Sequence, residues 1–226
     1  MKYKNLTIIG TSHIAQQSVN QVKQTISLDK PDIVAIELDR RRFQALVSGK
    51  QRKPKLSDIK KIGVKGFLFT LIGSWAQKKL GKYVGVTPGS EMKAAINSAK
   101  QERSKIALID QDIEVTLKKI SKRLTWKEKF NFLLDIFEAL VLKKQEIKFD
   151  LRTVPSKQMI DKIISKVRNR YPNVYKVLIK ERDELMAHKL FNLMWHKPNK
   201  RIVAVVGAGH EDRILKLIKD AFKSME

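Results

Sequence analysis

The sequence predicts an α/β protein: a central, mostly parallel sheet built from both ends of the chain, with a largely helical insertion between them. Three observations carry this. Four short runs rich in β-branched residues, at 6–9, 33–36, 106–109 and 202–206, have the continuous apolar character of strands buried on both faces. Segments whose apolar residues recur at helical spacing separate them. The stretch from about residue 118 to 197 offers only helical patterns, so it reads as an insertion within a single domain spanning 1–226.

The first two runs flank a helix in which Val19, Val22 and Ile26 recur at helical spacing, and Pro31-Asp32 ends it. This unit reads as βαβ with a right-handed crossover. Thr87-Pro88-Gly89-Ser90 opens the next helix, with Ser90 as N-cap and Met92, Ala95, Ile96 and Ala99 as the apolar face. Thr125-Trp126-Lys127-Glu128 is a capping box, in which hydroxyl and carboxylate satisfy each other's backbone amides. Its helix carries Leu133, Leu134, Phe137, Leu140 and Val141. Ser156 starts another, with Met159, Ile160, Ile163, Ile164 and Val167 inward, and Pro172 marks a break before a third through Val177, Leu185, Leu190 and Met194. The final strand feeds a helix with Ile214, Leu217, Ile218 and Ala221 on one face.

Hydrophobic residues at 42% suffice for a packed core, which excludes a disordered chain. The absence of cysteine excludes disulfides and thiolate metal sites, so histidine and carboxylate are the available ligands. The longest apolar stretch, residues 66–76, falls short of the roughly 20 that a membrane span needs. With no signal-peptide core at the amino terminus, a cytoplasmic protein is expected, peripheral membrane association being the alternative. The formal charge of +24, from 47 Lys+Arg against 23 Asp+Glu, favours anionic partners such as nucleic acid or an acidic membrane surface. Its lysines are scattered over helical faces, with one cluster at 50–65, and a solvated lysine-rich surface accounts for most of them. There is no zinc finger and no aromatic-rich RNA-binding signature.

Polar chemistry sits at the end of every strand. His13 lies just past the first, Glu37 closes the second, Asp110 closes the third, and His210 lies just past the fourth. Both histidines stand in Gly-x-x-His, as Gly10-Thr11-Ser12-His13 and Gly207-Ala208-Gly209-His210, at opposite ends of the chain. In one parallel sheet they share the edge where open α/β sheets bind ligands. Two neutral imidazoles and a carboxylate form an ordinary ligand set for a divalent metal, which makes His13, His210 and Glu37 the expected metal ligands. A second carboxylate, with Asp110 the candidate, would act as base or orient a histidine. Gly10 and Gly207 are expected in turn conformations closed to other residues.

Acid and base share one turn in Glu37-Leu38-Asp39-Arg40-Arg41-Arg42, where Arg42 is expected to reach a substrate carboxylate or Glu37, and Asp39 reads as a helix start. Asp110 and Asp112 point one way only if the third strand extends that far. In Glu181-Arg182-Asp183, a helix lying over the sheet would deliver Arg182 into the cleft. His188 and His196 are read as structural. Val206-Gly207-Ala208-Gly209 imitates a dinucleotide fingerprint, but Asp212 occupies the third glycine position and no βαβ unit follows. His210-Glu211-Asp212 lacks the second histidine of a zinc-protease helix, since Ile214 stands there.

Taken in order, Gly-Thr-Ser-His at 10–13, Val-Ala-Ile-Glu-Leu-Asp-x-x-Arg at 34–42, Pro-Gly-Ser-Glu-Met at 88–92, Ile-Asp-Gln-Asp-Ile-Glu-Val-Thr-Leu at 109–117, Glu-Arg-Asp-Glu-Leu-Met-Ala at 181–187 and Val-Val-Gly-Ala-Gly-His at 205–210 resemble the TraB/PrgY proteins, the archaeal branch most closely. The match covers nearly the whole chain. The resemblance implies an α/β domain related to the Tiki proteases and, more widely, to erythromycin-esterase-like and ChaN-like proteins. It also implies a site of two Gly-x-x-His histidines, a glutamate and an arginine. Those positions fall here on His13, His210, Glu37, and Arg182 or Arg42. Tiki members are described as metal-dependent peptidases, and PrgY is linked to blocking a peptide pheromone. Many members carry carboxy-terminal membrane spans, which this chain lacks up to Glu226.

The resulting expectation is a metal-dependent hydrolase, using Mn, Co or Zn, with a peptide as substrate. The alternatives are a non-catalytic peptide-sequestering protein and a basic adaptor for membrane or nucleic acid. Substrate, metal and homo-oligomer formation are left open by the sequence.

Overall fold

The computed structural model describes residues 1–12, 16–49, 89–141 and 156–225, with single positions at 59, 60, 63 and 67. His13, Thr87, Pro88 and most of the basic cluster at 50–65 and of the apolar run at 66–76 lie outside the described residues, as do the side chains of Phe137, Leu140 and Val141.

The strands are β1 (Lys2–Tyr3), β2 (Leu6–Thr11), β3 (Ile33–Ile36), β4 (Lys105–Leu108) and β5 (Ile202–Gly207). They form a sheet in the order β1-β2-β5-β3-β4, parallel except for the short β1–β2 pair. β5, from the far end of the chain, sits centrally, with Ile202 opposite both Leu6 and Ile33. A strand flanked on both sides and covered on both faces has no place for a polar side chain, and every residue of β5 is buried.

The period of two sorts these side chains into two cores. Leu6, Ile8, Ile33, Ala35, Ile202, Ala204 and Val206 face one layer, and Ile9, Val34, Ile36, Val203 and Val205 face the other. The second face is covered by α1 (Gln16–Asp29), through Val22 and Ile26, and by α3 (Ser90–Gln101), through Met92, Ala95, Ile96 and Ala99. Between these two helices in sequence lies α2 (Arg40–Ser48), capped by the Asp39 carboxylate, which accepts from the amides of Arg41 and Arg42. The N-cap of α3 is Gly89, at φ 86°, in place of the expected Ser90, which instead opens the first turn. A left-handed φ suits glycine, so the turn preceding the helix rather than a side-chain cap sets its start.

The described residues of the middle of the chain are helical as expected: α4 (Ile113–Arg123), α5 (Trp126–Val141), α6 (Lys157–Arg170), α7 (Pro172–Tyr175), a π-turn (Lys176–Lys180) and α8 (Glu181–His196). The capping box forms, with Thr125 Oγ1 accepting from Glu128 N at 3.3 Å and Glu128 Oε2 accepting from Thr125 N at 3.0 Å. Ser156 caps α6, whose inward residues are only half-buried. Pro172 occupies the first turn of α7, and the chain then stays helical through the π-turn into α8. α8 belongs to the core rather than to an appendage. Met186, Ala187, Leu190, Phe191 and Met194 pack on the first sheet face beside Ile214, Leu215, Ile218 and Phe222 of α9 (Glu211–Lys223). Among the described residues, no helix is long and apolar enough to cross a membrane.

Candidate functional site

Parallel strands bring their carboxyl ends to one edge, and the register decides which side chains meet there. Thr11 lies opposite Gly207, while Glu37, one residue past β3, donates its amide to Val205 O at 3.1 Å. Glu37 Oε2 accepts from Gly207 N at 2.6 Å, which fixes the carboxylate across the end of β5. The chain then turns: Ala208 N donates to Thr11 O at 2.8 Å and His210 N to Gly207 O at 2.8 Å, so His210 becomes the residue that precedes α9.

Neither Gly10 nor Gly207 uses a left-handed φ, contrary to the turn conformations expected for them. Close approach explains Gly10 instead. A Cβ there would collide with the Glu211 carboxylate and lie 3.2 Å from Ala208 Cα.

The His210 ring is held from α8. Nδ1 faces Asp183 Oδ1 in a short hydrogen bond, and Asp183 Oδ2 accepts from Arg213 Nε at 2.5 Å. Arg213, one turn into α9, also donates to Gly209 O, which ties the turn to its helix. An ionised carboxylate can only accept, so Nδ1 carries the proton and, in the neutral ring, Nε2 keeps its lone pair. Nε2 points toward Glu37 Oε1 at 3.6 Å, too far for a hydrogen bond.

Beside it runs a chain of guanidinium–carboxylate pairs. Arg182 lies one residue before Asp183 and just past the π-turn, a feature often found at functional sites. Its Nη1 donates to Leu178 O in that turn at 3.1 Å. Its Nη2 donates to Glu37 Oε1 and, at 2.7 Å, to Asp110 Oδ2, while Nε reaches Asp110 Oδ1 at 2.9 Å. Arg42 Nη2 approaches Asp110 Oδ2 at 2.5 Å, and Arg42 Nε donates to Asp39 Oδ2 at 2.6 Å. Burial alone would raise the Asp110 carboxyl, but the hydrogen bonds and charges of Arg182 and Arg42 outweigh it and bring it down to about 2. Burial likewise opposes the charge on Arg182 and Arg42, yet their carboxylates hold both above the ordinary guanidinium value. Lys189 of α8, donating to Asp110 O at 3.0 Å, is lowered by burial, against the pull of Asp110 and Asp39.

Five of the six residues singled out by sequence thus converge: Glu37, Arg42, Asp110, Arg182 and His210. His13 lies outside the described residues. The pairing of Arg42 goes to Asp39 and Asp110, and Asp112, beyond the end of β4, caps α4 rather than joining Asp110. His188 meets Asn192 on the exposed side of α8, and His196 sits in its last turn. Asp183, Arg213 and Lys189 were not recognised in the sequence. Arg213 carried a signal, since it stands three residues after His210 on a helical stretch, where the two share a face.

A divalent ion at this edge would find two donors, His210 Nε2 and Glu37 Oε1. Among the described residues no group of three His, Asp or Glu side chains is arranged to hold a metal, and Arg182 already engages Glu37 Oε1. These donors fit half of a typical ligand set.

The profile of the TraB/PrgY/gumN family matches residues 2–221. An uncharacterized protein of Methanocaldococcus jannaschii is 36% identical over 220 residues, covering 95% of this chain and 53% of that protein. TraB domain-containing proteins of Bos taurus and Homo sapiens are 24% and 23% identical over 227 residues, covering 90% of this chain and 59% and 60% of theirs. The chain spans little more than half the length of these relatives.

Proposed function

This chain belongs to the TraB/PrgY/gumN family, and on that footing we propose that it is a metal-dependent hydrolase acting on peptide bonds. The observation that supports the reading best is the His210 ring, protonated on Nδ1 toward Asp183 and presenting Nε2 to the Glu37 carboxylate, at the carboxyl edge of a parallel sheet. A divalent ion held by His210, Glu37 and His13 would supply a water of lowered pKa and polarise the scissile carbonyl. Asp183 fixes the tautomer of His210. The Gly207 amide anchors Glu37 Oε2, so its orientation is set before substrate arrives. Arg182 places a cation where charge develops on the carbonyl oxygen, and Asp110 with Arg42 keeps it there as positioning residues.

The test is release of new amino termini from a mixed peptide pool by the full chain, with Mn²⁺, Co²⁺ or Zn²⁺ added. His210→Ala and Glu37→Gln are expected to lower the rate by about a hundredfold or more. Variants cleaving at the rate of the unaltered protein overturn the proposal. One observation favours a second reading, peptide sequestration: Glu37 Oε1 is already committed to Arg182, which leaves a pre-organised charged surface without chemistry. That reading predicts intact peptide retained by the protein in the presence of a chelator.

A further inference from the structure

At the opposite, amino-terminal edge of the sheet lies a cavity of about 590 Å³, within the size range of small-molecule sites. Three turns form it: the α1–β3, α3–β4 and α8–β5 connections. Five cationic side chains line it, Lys30, Arg103, Lys105, Lys197 and Lys200, against the two carboxylates of Asp32 and Glu102, an excess of three positive charges. Asp32 is already neutralised, accepting from Lys200 Nζ at 3.0 Å and Arg201 N at 2.8 Å. Lys30, Arg103, Lys105 and Lys197 form no ion pair with any described residue. From these observations we propose a second binding site, for a small ligand carrying two or more linked phosphates.

The frame beneath the cations is stitched across all three turns. Ser104 Oγ donates to Pro31 O at 2.6 Å, Lys105 N to Asp32 O at 2.9 Å, and Asp32 N to Arg201 O at 2.9 Å. Asn5 Nδ2 ties Lys197 O at 3.0 Å and Lys200 O at 2.8 Å. Like charges brought together on a fixed concave wall repel one another, and a bound polyanion relieves that repulsion while gaining several charge-assisted contacts.

Two of the cations also stand where glycine is the ordinary choice. Lys30 has φ 40° and Arg103 φ 55°, just past the ends of α1 and α3. A side chain there costs about 1 kcal/mol or more. A competing explanation is that these residues only neutralise helix carboxyl ends. Three helices end here, each contributing about half a negative charge, which sums to less than the excess of three positive charges. Lys105, the first residue of β4, serves no helix end.

The experiment is calorimetric titration of the full chain with inorganic tripolyphosphate and, separately, with ATP, at about 0.1 M salt to screen diffuse attraction. Saturable binding is expected, weakened about tenfold or more in the double variant Arg103→Gln/Lys105→Gln and retained in the charge-preserving Arg103→Lys/Lys105→Arg. The control Lys23→Gln/Lys93→Gln removes the same charge from the outer faces of α1 and α3 and should change affinity by no more than about twofold. Comparable affinity for both ligands supports the phosphate chain as the recognised moiety. Binding of ATP without tripolyphosphate, equal loss in the control pair, or no saturable binding overturns the site.

Discussion

Asp110→Asn isolates the charge on which the arginine chain converges. The Asp110 carboxyl lies at about 2 in the folded protein against an ordinary 3.8, a difference worth about 2 kcal/mol of folding free energy at neutral pH. The carboxyl is depressed, so this contribution is complete above pH 3.8 and is lost as pH falls toward 2. The amide keeps the shape of the side chain but leaves the Arg182 and Arg42 guanidiniums without their shared anion. Removing one partner of a buried pair costs about 3–5 kcal/mol, so about 2 kcal/mol from ionisation sets the lower bound for the variant at pH 7. Urea unfolding of both proteins from pH 7 down to pH 2 measures it. The expected result is a large stability gap at neutral pH that narrows by about 2 kcal/mol across the acid window. Equal stability at pH 7, or a gap unchanged down to pH 2, would refute the claim that the ionised form organises the edge.

Two further changes probe the arginine fork and the helical middle of the chain. Arg182→Lys keeps the charge but cannot span Glu37 and Asp110 together, because an ammonium lacks the planar fork. It should lower stability by about 1–3 kcal/mol in chemical denaturation and abolish any peptide cleavage, whereas a fully active, equally stable variant would show that the fork is dispensable. Thr125→Ala removes half of the capping box of α5 and should cost about 1 kcal/mol, read as a lower urea midpoint with unchanged slope.

The strands were legible because a run buried on both faces has no alternative use, and β3 falls on the expected residues 33–36. The third strand falls at Lys105–Leu108, one residue earlier than its apolar run, since Ile109 still donates its amide to Ile36 O at 3.1 Å but already leads into the loop. Glu37, Asp110 and His210 were legible from position alone, as polar residues ending apolar runs. Asp183 was not. It sits within a helix just past the π-turn at Lys176–Lys180, and the extra residue of such a turn shifts the phase of the apolar pattern, so spacing alone does not say which face Asp183 occupies. The N-cap at Gly89 was hidden by a serine next to it that satisfied the usual capping preference.

The two edges of the sheet handle charge in opposite ways, in a protein whose formal charge is +24. At the carboxyl edge, four buried carboxylates, Glu37, Asp39, Asp110 and Asp183, are met by four cations, Arg42, Arg182, Arg213 and Lys189, so charge is balanced locally despite the strongly basic whole. At the amino edge, five cations line a cavity, and four of them, all but Lys200, form no ion pair with any described residue. Long-range attraction for anions would act on the whole surface, but the amino edge gathers unpaired cations on a fixed frame. The same parallel topology that gathers strand ends therefore keeps the two chemistries the length of a strand apart, so each edge can be disabled by substitution without disturbing the charge balance of the other.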